Sequence, residues 1–101
     1  LFFFYDTFND NISGWDVSNV TNMSGMFRYA HSFNQPIGSW DVSNVTNMTT
    51  MFMDATAFNQ EIRNWDVSSV TEFIYMFNGA TKMKAAPWNA PDTPDASWFN
   101  Q

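Results

Sequence analysis

The sequence predicts an α/β repeat fold, a right-handed solenoid of about three and a half coils with short parallel strands and short helical or 3₁₀ segments. Two observations lead to this prediction. A 25-residue unit recurs with a fixed period, and its middle copy occupies residues 40–64. Within each copy the apolar residues first alternate with polar ones and then fall one or three residues apart. Units of this length cannot bury a core alone and are stabilised by stacking on their neighbours.

The repeat defines the expected organisation of the chain. A partial copy at 1–14 precedes two whole copies at 15–39 and 40–64, and a degenerate third copy covers 65–89. Three prolines follow within eight residues in the last copy and beyond it, and proline cannot continue a regular coil. We therefore expect a solenoid over residues 1–89 and a cap or tail over 90–101.

Each copy contains signals for a strand and for a helical segment. In the middle copy the Trp-Asp-Val triplet at 40–42 alternates apolar, polar and apolar, which predicts a short strand. Ser and Asn at 43–44 favour a turn, because both side chains can bond nearby backbone groups. The apolar spacing over 48–55 predicts one or two turns of α- or 3₁₀-helix. Equivalent strands of stacked copies would lie about 4.8 Å apart in a parallel sheet.

The apolar positions that recur in every copy predict the core. They form rows of Trp, Val, Met, Phe, Ala and Ile: Trp15, Trp40, Trp65; Val17, Val42, Val67; Val20, Val45, Val70; Met23, Met48, Phe73; Met26, Met51, Met76; Phe27, Phe52, Phe77; Ala30, Ala55, Ala80; Phe8, Phe33, Phe58; and Ile12, Ile37, Ile62. The partial copy places Leu1 and Phe2 at the Met-Phe positions.

These residues also carry a family resemblance. The segment WDVSNVTNM, the Met-Phe pair, the Ala and the Phe-Asn pair resemble the BspA-like bacterial surface-protein repeats, in the 25-residue variety catalogued as a mycoplasma domain of unknown function. The resemblance covers residues 1 to about 83. It implies a leucine-rich-repeat-like solenoid in a surface or secreted setting, used for adhesion or interaction, and it implies no catalytic activity.

A row of aspartates and serines is the candidate partner-binding face of the predicted sheet: Asp16, Ser18, Asp41, Ser43, Asp66 and Ser68. Like charges opposite each other in a sheet are unfavourable, so the row needs compensation. One interpretation is that it binds a cation or a basic segment of a partner. The other is that each carboxylate accepts hydrogen bonds from the following polar residues and stabilises the turn. No oxygen-rich Ca²⁺ loop accompanies the row, so we expect no dedicated metal site.

The Asn row has a structural prediction. Asn9, Asn34 and Asn59 recur at one position, where stacked amides can bond each other and the backbone. Thr21, Thr46 and Thr71 form a second polar row, which we interpret as turn and edge polarity.

The amino-terminal segment is a candidate docking edge. Leu1, Phe2, Phe3, Phe4 and Tyr5 continue the register of a repeat's second half, without a strand-forming half before them. Repeat arrays do not normally expose such an apolar end. We therefore expect further repeats before Leu1 or a covering partner chain.

Composition limits the functional classes. Four basic against ten acidic residues give a net charge of -6, which disfavours nucleic acid, because phosphate binding needs a basic surface. Cysteine is absent, so thiolate metal sites and disulfides are excluded. No apolar run is long enough to predict a membrane span. The single histidine, His31, lies at a position that drifts between copies and has no nucleophile placed beside it.

The sequence therefore predicts a protein that is not an enzyme and needs no cofactor. The leading hypothesis is a non-catalytic protein-interaction or adhesion module, extracellular or at the cell surface, with a protein partner. The alternative is a structural accessory subunit docked in a larger assembly, such as an organellar or membrane-associated one. The oligomeric state stays open.

Overall fold

Turns dominate the chain between residues 4 and 100, the part that this computed structural model describes. Two helices occur there, α1 (Thr81–Lys84) and α2 (Ala96–Phe99), and both follow the third copy's recurrent core positions. This part of the chain has no β-strand, and its only ladder contacts are isolated parallel bridges of Asn47 with residues of the neighbouring copies. The predicted α/β solenoid with parallel strands, helical segments and about three and a half coils is therefore wrong.

The Trp-Asp-Val triplet fails to form a strand because turns close on both sides of it. The amide of Trp40 donates to the carbonyl of Ile37 at 3.1 Å. The amide of Val45 donates to the carbonyl of Val42 at 3.0 Å. The first turn ends at Trp40 and the second begins at Val42, so only Asp41 lies between them, and the segment is too short for a ladder. The same two turns recur in the flanking copies.

The apolar segment at 48–55 fails to form a helix because alternate amides bond to the next copy. The amides of Thr50 and Phe52 donate to the carbonyls of Ile74 and Met76, both at 2.9 Å. Other amides of the segment close four-residue turns: Met51 donates to Met48, Met53 to Thr50 and Ala55 to Phe52. An α-helix would use all these donors for carbonyls four residues earlier. The segment is thus a series of turns, and the amides that do not close a turn donate to carbonyls of the next copy.

Left-handed backbone at two positions of the repeat produces these turns. Positive φ angles occur at Gly25 (68°), Thr50 (54°) and Tyr75 (53°), and at Tyr29 (63°), Asp54 (58°) and Gly79 (75°). Each is the third residue of a turn closed by an i to i+3 hydrogen bond, the position where type II turns require positive φ. Glycine, which adopts this conformation without strain, occupies only two of the six positions.

The predicted core is confirmed for most rows. The Ala and Ile rows are buried in all three copies, and so are the second Met row and the Phe row that follows it. Phe52 stacks on Phe27 at 5.4 Å and on Phe77 at 5.8 Å between ring centroids. Val20, Val70, Phe8 and Phe73 are only partly buried. The aromatic column therefore runs through all three copies, as the recurring positions predicted.

The Trp row is the main exception. Trp40 and Trp65 are 5% and 3% exposed, and their indole N–H groups donate to the carbonyls of Ile12 and Ile37 at 3.1 Å. Trp15 is 44% exposed. Each buried indole therefore binds the previous copy, whereas Trp15 lies at the amino-terminal side of the first whole copy.

The residues after the third copy pack over it. The amide of Phe77 donates to the carbonyl of Asp92 at 3.1 Å, at the place where the corresponding amide of Phe52 bonds to a further copy. Phe99 of α2 is 1% exposed and stacks on Phe73 at 5.6 Å. The resulting molecule measures 29 × 26 × 20 Å.

Candidate functional site

The Asp-Ser row lies in turns at the surface and not on a sheet, since the predicted sheet is absent. Asp41 Oδ1 accepts hydrogen bonds from the amide and the hydroxyl of Ser43, at 3.0 and 2.6 Å. Asp16 binds Ser18 in the same way, and Asp66 accepts from the amide of Ser68 at 3.0 Å. These hydrogen bonds are the ones expected if each carboxylate of the row stabilises its own turn. Binding of a cation or a partner by the row stays a prediction.

These hydrogen bonds also affect the charge of the row. Donation by the serine hydroxyl, and next by the serine amide, lowers the pKa of Asp16, Asp41 and Asp66 below the usual range. Repulsion by the two neighbouring carboxylates raises the pKa of Asp41 by a smaller amount. The row therefore carries three negative charges at neutral pH, and they are close enough to repel one another.

The Asn row joins successive copies. The amide of Asn34 donates to Asn9 Oδ1 at 2.8 Å, and the amide of Asn59 donates to Asn34 Oδ1 at 2.9 Å. Asn59 Oδ1 accepts instead from the indole N–H of Trp88, at 2.7 Å. The prediction of a structural Asn row is confirmed, although the side chains bond to the backbone of the next copy and not to one another.

A different surface carries most of the large apolar side chains that are exposed among residues 4–100. We call it the turn face and define it by Tyr5, Arg28, Tyr29, Thr50, Ile74 and Tyr75. Tyr29, Ile74 and Tyr75 are 41%, 49% and 52% exposed, and Tyr5 is 66% exposed. Tyr29, Ile74 and Tyr75 lie on or beside left-handed turns, so the backbone that joins the copies also directs these three side chains outward.

The turn face contains a shallow cavity of about 570 Å³. Tyr5 and Tyr29 line it together with Arg28, Thr50 and the polar residues at 22 and 24. The guanidinium of Arg28 lies 4.8 Å from the ring centre of Tyr29 and donates to its hydroxyl at 3.1 Å. The cavity thus combines aromatic walls with the cation of Arg28, on a chain whose net charge is -6.

Sequence reasoning missed the turn face, although the sequence contained a signal for it. The turn positions differ from copy to copy, whereas the Asp and Ser positions are the same in all three. Gly25, Thr50 and Tyr75 are equivalent, and so are Tyr29, Asp54 and Gly79. Large aromatic residues at positions that vary between stacked copies are not needed by the repeat itself. Their presence there would have indicated a surface with a different role.

The predicted amino-terminal docking edge is described only in part. Leu1, Phe2 and Phe3 lie outside the described residues. Phe4 is partly buried, stacks on Phe8 at 4.2 Å and lies 5.5 Å from Phe27. Tyr5 belongs to the turn face. The two described residues of this edge are therefore divided between the core and the turn face.

The histidine is paired with an aspartate at the surface. His31 Nδ1 lies 2.9 Å from Asp6 Oδ1, and both side chains are exposed. Among residues 4–100, no group of three or more His, Asp or Glu side chains is placed to hold a metal ion. In the same stretch, no helix has the length and apolar character needed to cross a membrane.

One comparison with known proteins gives a match. The model of a family described as "Mycoplasma protein of unknown function, DUF285" matches residues 1–98. No curated protein and no solved structure matches the chain.

Proposed function

The chain belongs to this Mycoplasma family of unknown function, and we propose that it is a non-catalytic protein-interaction module of a surface or secreted protein. The observation that supports this proposal is the turn face. Its exposed aromatic and aliphatic side chains lie at positions that differ between copies, so the stacking of the copies does not account for them. Exposed apolar patches with polar rims mark interaction sites on soluble proteins.

The composition of the turn face suits a protein partner. Tyrosine and arginine are enriched among the side chains that contribute most to protein interfaces. Tyr29 and Arg28 hold each other in place, so less side-chain freedom would be lost when a partner binds. The net charge of -6 favours a neutral or basic partner and disfavours nucleic acid.

Adhesion at the cell surface is the finer form of the proposal. It is supported by the resemblance to BspA-like surface repeats, and a Mycoplasma family is compatible with it. The Asp-Ser row would then be a second contact surface, of acidic character. A module without activity is the expectation from the sequence, in which the single histidine, His31, lies at a position that drifts between copies.

A structural accessory subunit, in an organellar or membrane-associated assembly, is the second candidate. The 44% exposure of Trp15 supports it, because the equivalent Trp40 and Trp65 are covered by another copy. A subunit of this kind would be covered permanently at that edge. Isolated chain that aggregates unless its partner is present would favour this candidate over the module.

Partner capture with two matched variants tests the proposal. The immobilised chain is exposed to a surface-protein extract of its source organism and to purified host surface proteins, and retained proteins are quantified. The turn-face variant carries Tyr29→Ser, Ile74→Ser and Tyr75→Ser, and the control carries Asp16→Asn, Asp41→Asn and Asp66→Asn. We expect the turn-face variant to lose retention roughly tenfold or more, since interface tyrosines often contribute over 1.4 kcal/mol each.

Two results would contradict the proposal. If the wild-type chain specifically retains no protein, the proposed interaction function is wrong. Equal retention by the wild-type chain and the turn-face variant would show that the turn face is not the binding site. If, in addition, only the Asp-row variant lost retention, the acidic row would be the binding site. Unfolding curves for both variants establish that each is folded before the comparison.

A further inference from the structure

Residues 91–99, which we call the cap segment, supply acceptors that elsewhere in the molecule come from a further copy. The amide of Tyr75 donates to Thr93 Oγ1 at 2.9 Å, and the amide of Phe77 donates to the carbonyl of Asp92 at 3.1 Å. The two equivalent amides of the first and middle copies donate to backbone carbonyls of the following copy. The cap segment thus takes the place of a following copy at these two donors.

The cap segment meets these donors in the opposite order to a copy of the repeat. Between the middle and third copies the earlier donor bonds to the earlier acceptor: the amide of Thr50 to the carbonyl of Ile74, and the amide of Phe52 to the carbonyl of Met76. At the cap segment the earlier donor bonds to the later acceptor. The segment therefore satisfies the third copy without continuing the parallel register of the repeat.

Aromatic side chains of the cap segment end the stacked column of the core. Phe52 and Phe77 lie 5.8 Å apart with ring planes only 5° from parallel. Trp98 follows at 5.2 Å from Phe77, but its plane is tilted by 59°. Phe99 is 1% exposed and lies 5.6 Å from Phe73. The rings of the third copy are therefore covered by side chains that do not repeat the geometry of the column.

Mostly side chains hold the cap segment in place. Lys84 pairs with Asp92, and the indole N–H of Trp98 donates to the carbonyl of Trp88 at 3.0 Å. Within residues 4–100, the bond from the amide of Phe77 is the only backbone hydrogen bond between the cap segment and the third copy. Several such bonds join each pair of copies. The cap segment is therefore attached less firmly than one copy is to the next, and its release leaves the contacts between copies intact.

The cap segment covers only the second half of the third copy. In the first half, the carbonyl of Thr71 and the amide of Phe73 bond to no group within residues 4–100. At both contacts between copies the equivalent carbonyl and amide are bonded, so a complete copy binds through both of its halves. By occupying one half, the cap segment prevents a complete copy from binding to the third.

We propose that the cap segment is an autoinhibitory contact that keeps a second copy of this chain from stacking on the third copy. A second copy is the expected occupant because, at both contacts between copies, the face that the cap segment covers is bound by the same repeat. Release of the segment frees the amides of Tyr75 and Phe77 and uncovers the rings of Phe73 and Phe77. The inference goes beyond the proposed function, since it concerns association of identical chains and not capture of a different protein.

Sedimentation equilibrium of two matched variants tests the inference. The cap-release variant carries Trp98→Ser and Phe99→Ser, and the control carries Phe8→Ser, at a partly buried aromatic residue that the cap segment does not contact. The apparent Kd of self-association falls as the population of open chains rises. Truncation of a buried aromatic residue changes such a population more than tenfold. We therefore expect the cap-release variant to associate at about tenfold or more lower concentration than the wild-type chain and the control.

Hydrogen exchange measured by NMR tests the same device in the unaltered chain. The amides of Tyr75 and Phe77 should exchange about tenfold or more faster than those of Thr50 and Phe52, because opening of the cap segment exposes them without separating two copies. In the associated cap-release variant the amide of Phe73, which is free in the single chain, should become protected, and that of Phe77 should be protected again.

Four outcomes would overturn the inference. A folded cap-release variant that associates no more than the wild-type chain is one, and equal association of the Phe8→Ser control is another. Association without protection at Phe73 and Phe77 is the third, and the fourth is wild-type exchange at Tyr75 and Phe77 as slow as at Thr50 and Phe52.

Two features of the design keep the results separable. If the double variant does not fold, Trp98→Ser alone replaces it, because this change keeps the buried ring of Phe99 and removes a partly buried one. Partner capture by the wild-type chain does not depend on any of these results, so the cap segment and the proposed function fail separately.

Discussion

At Gly38 a side chain would collide with the backbone of the next copy. A Cβ atom built there would lie 2.4 Å from the carbonyl oxygen of Glu61, whereas one built at Gly14 meets nothing within 4 Å. The two glycines are adjacent positions of the repeat in different copies, so they form a matched pair. Gly38 is therefore required by close approach and not by turn geometry.

We predict that Gly38→Ala destabilises the protein by about 1–3 kcal/mol, the usual cost of overpacking. Gly14→Ala should change the free energy of unfolding by less than about 1 kcal/mol, because the added methyl group meets open space. Urea denaturation of both variants measures the difference. Equal stability of the two variants would show that the copies do not approach each other at Gly38.

The Asp-Ser turns give a prediction about pH. Because the serine hydrogen bonds lower the pKa of Asp41, its stabilising effect is complete above about pH 4, the ordinary pKa of aspartate. The effect is lost as the pH falls through the lowered pKa. Asp41→Ala should therefore destabilise the protein at pH 7, and its difference from the wild-type protein should shrink below pH 4.

Asp41→Asn is the matched control for this effect. Asn11 already accepts hydrogen bonds from the amide and hydroxyl of Ser13, in the same geometry as the Asp-Ser pairs. The amide also removes repulsion by Asp16 and Asp66. Thermal unfolding at pH 7 should place Asp41→Asn between the wild-type protein and Asp41→Ala, because the amide oxygen keeps both hydrogen bonds but loses the charge that strengthens them. A loss as large as that of Asp41→Ala would mean that the charge, and not the hydrogen bonds, stabilises the turn.

At the scale of elements, the left-handed turns make a third prediction. Thr50 has φ of 54°, a conformation that costs a β-branched residue about 1–3 kcal/mol. Thr50→Gly should remove this strain, but the greater conformational freedom of glycine in the unfolded chain offsets part of the gain. The expected net stabilisation is up to about 1 kcal/mol. Thr49→Gly, one residue earlier, should instead destabilise it by about 0.5–1 kcal/mol. Differential scanning calorimetry compares them, and the reverse order of Tm would contradict the turn geometry.

The elements were also where sequence reasoning was wrong. The alternation of apolar and polar residues at 40–42 is typical of a strand, and the apolar spacing over 48–55 is typical of a helix. Both patterns also arise when turns follow one another every few residues. Gly25 and Gly79 stand at the left-handed positions, but the other copies have Thr50, Tyr75, Tyr29 or Asp54 there. Because most of the six residues are not glycine, the turns could not be predicted from glycine positions.

Burial was predictable where the local structure was not. The recurring Phe, Met and Ile positions are inside because each copy covers the next, whatever backbone connects them. The structural role of Asn34 followed from the same recurrence. The turn face and the bond from Trp88 to Asn59 did not follow, since they depend on residues that occur once.

At the scale of the whole molecule, contacts between copies carry the stability. Trp40 is 5% exposed and binds the carbonyl of Ile12, so Trp40→Ala removes both core packing and a tie to the previous copy. We predict a loss of roughly 3–5 kcal/mol, a large part of the 5–15 kcal/mol typical of small domains. Trp15→Ala should cost less, because Trp15 is 44% exposed. Guanidinium denaturation that ranks the two variants in the opposite order would contradict this account.

The central structural claim is that amides in the middle copy bond to the following copy and not within a helix. Scalar couplings across hydrogen bonds, measured by NMR on labelled protein, detect each donor and acceptor directly. The account predicts a coupling between the amide nitrogen of Thr50 and the carbonyl carbon of Ile74. It predicts a second coupling between the amide nitrogen of Phe52 and the carbonyl carbon of Met76. A coupling from the amide of Phe52 to the carbonyl of Met48, four residues earlier, would show a helix and contradict it.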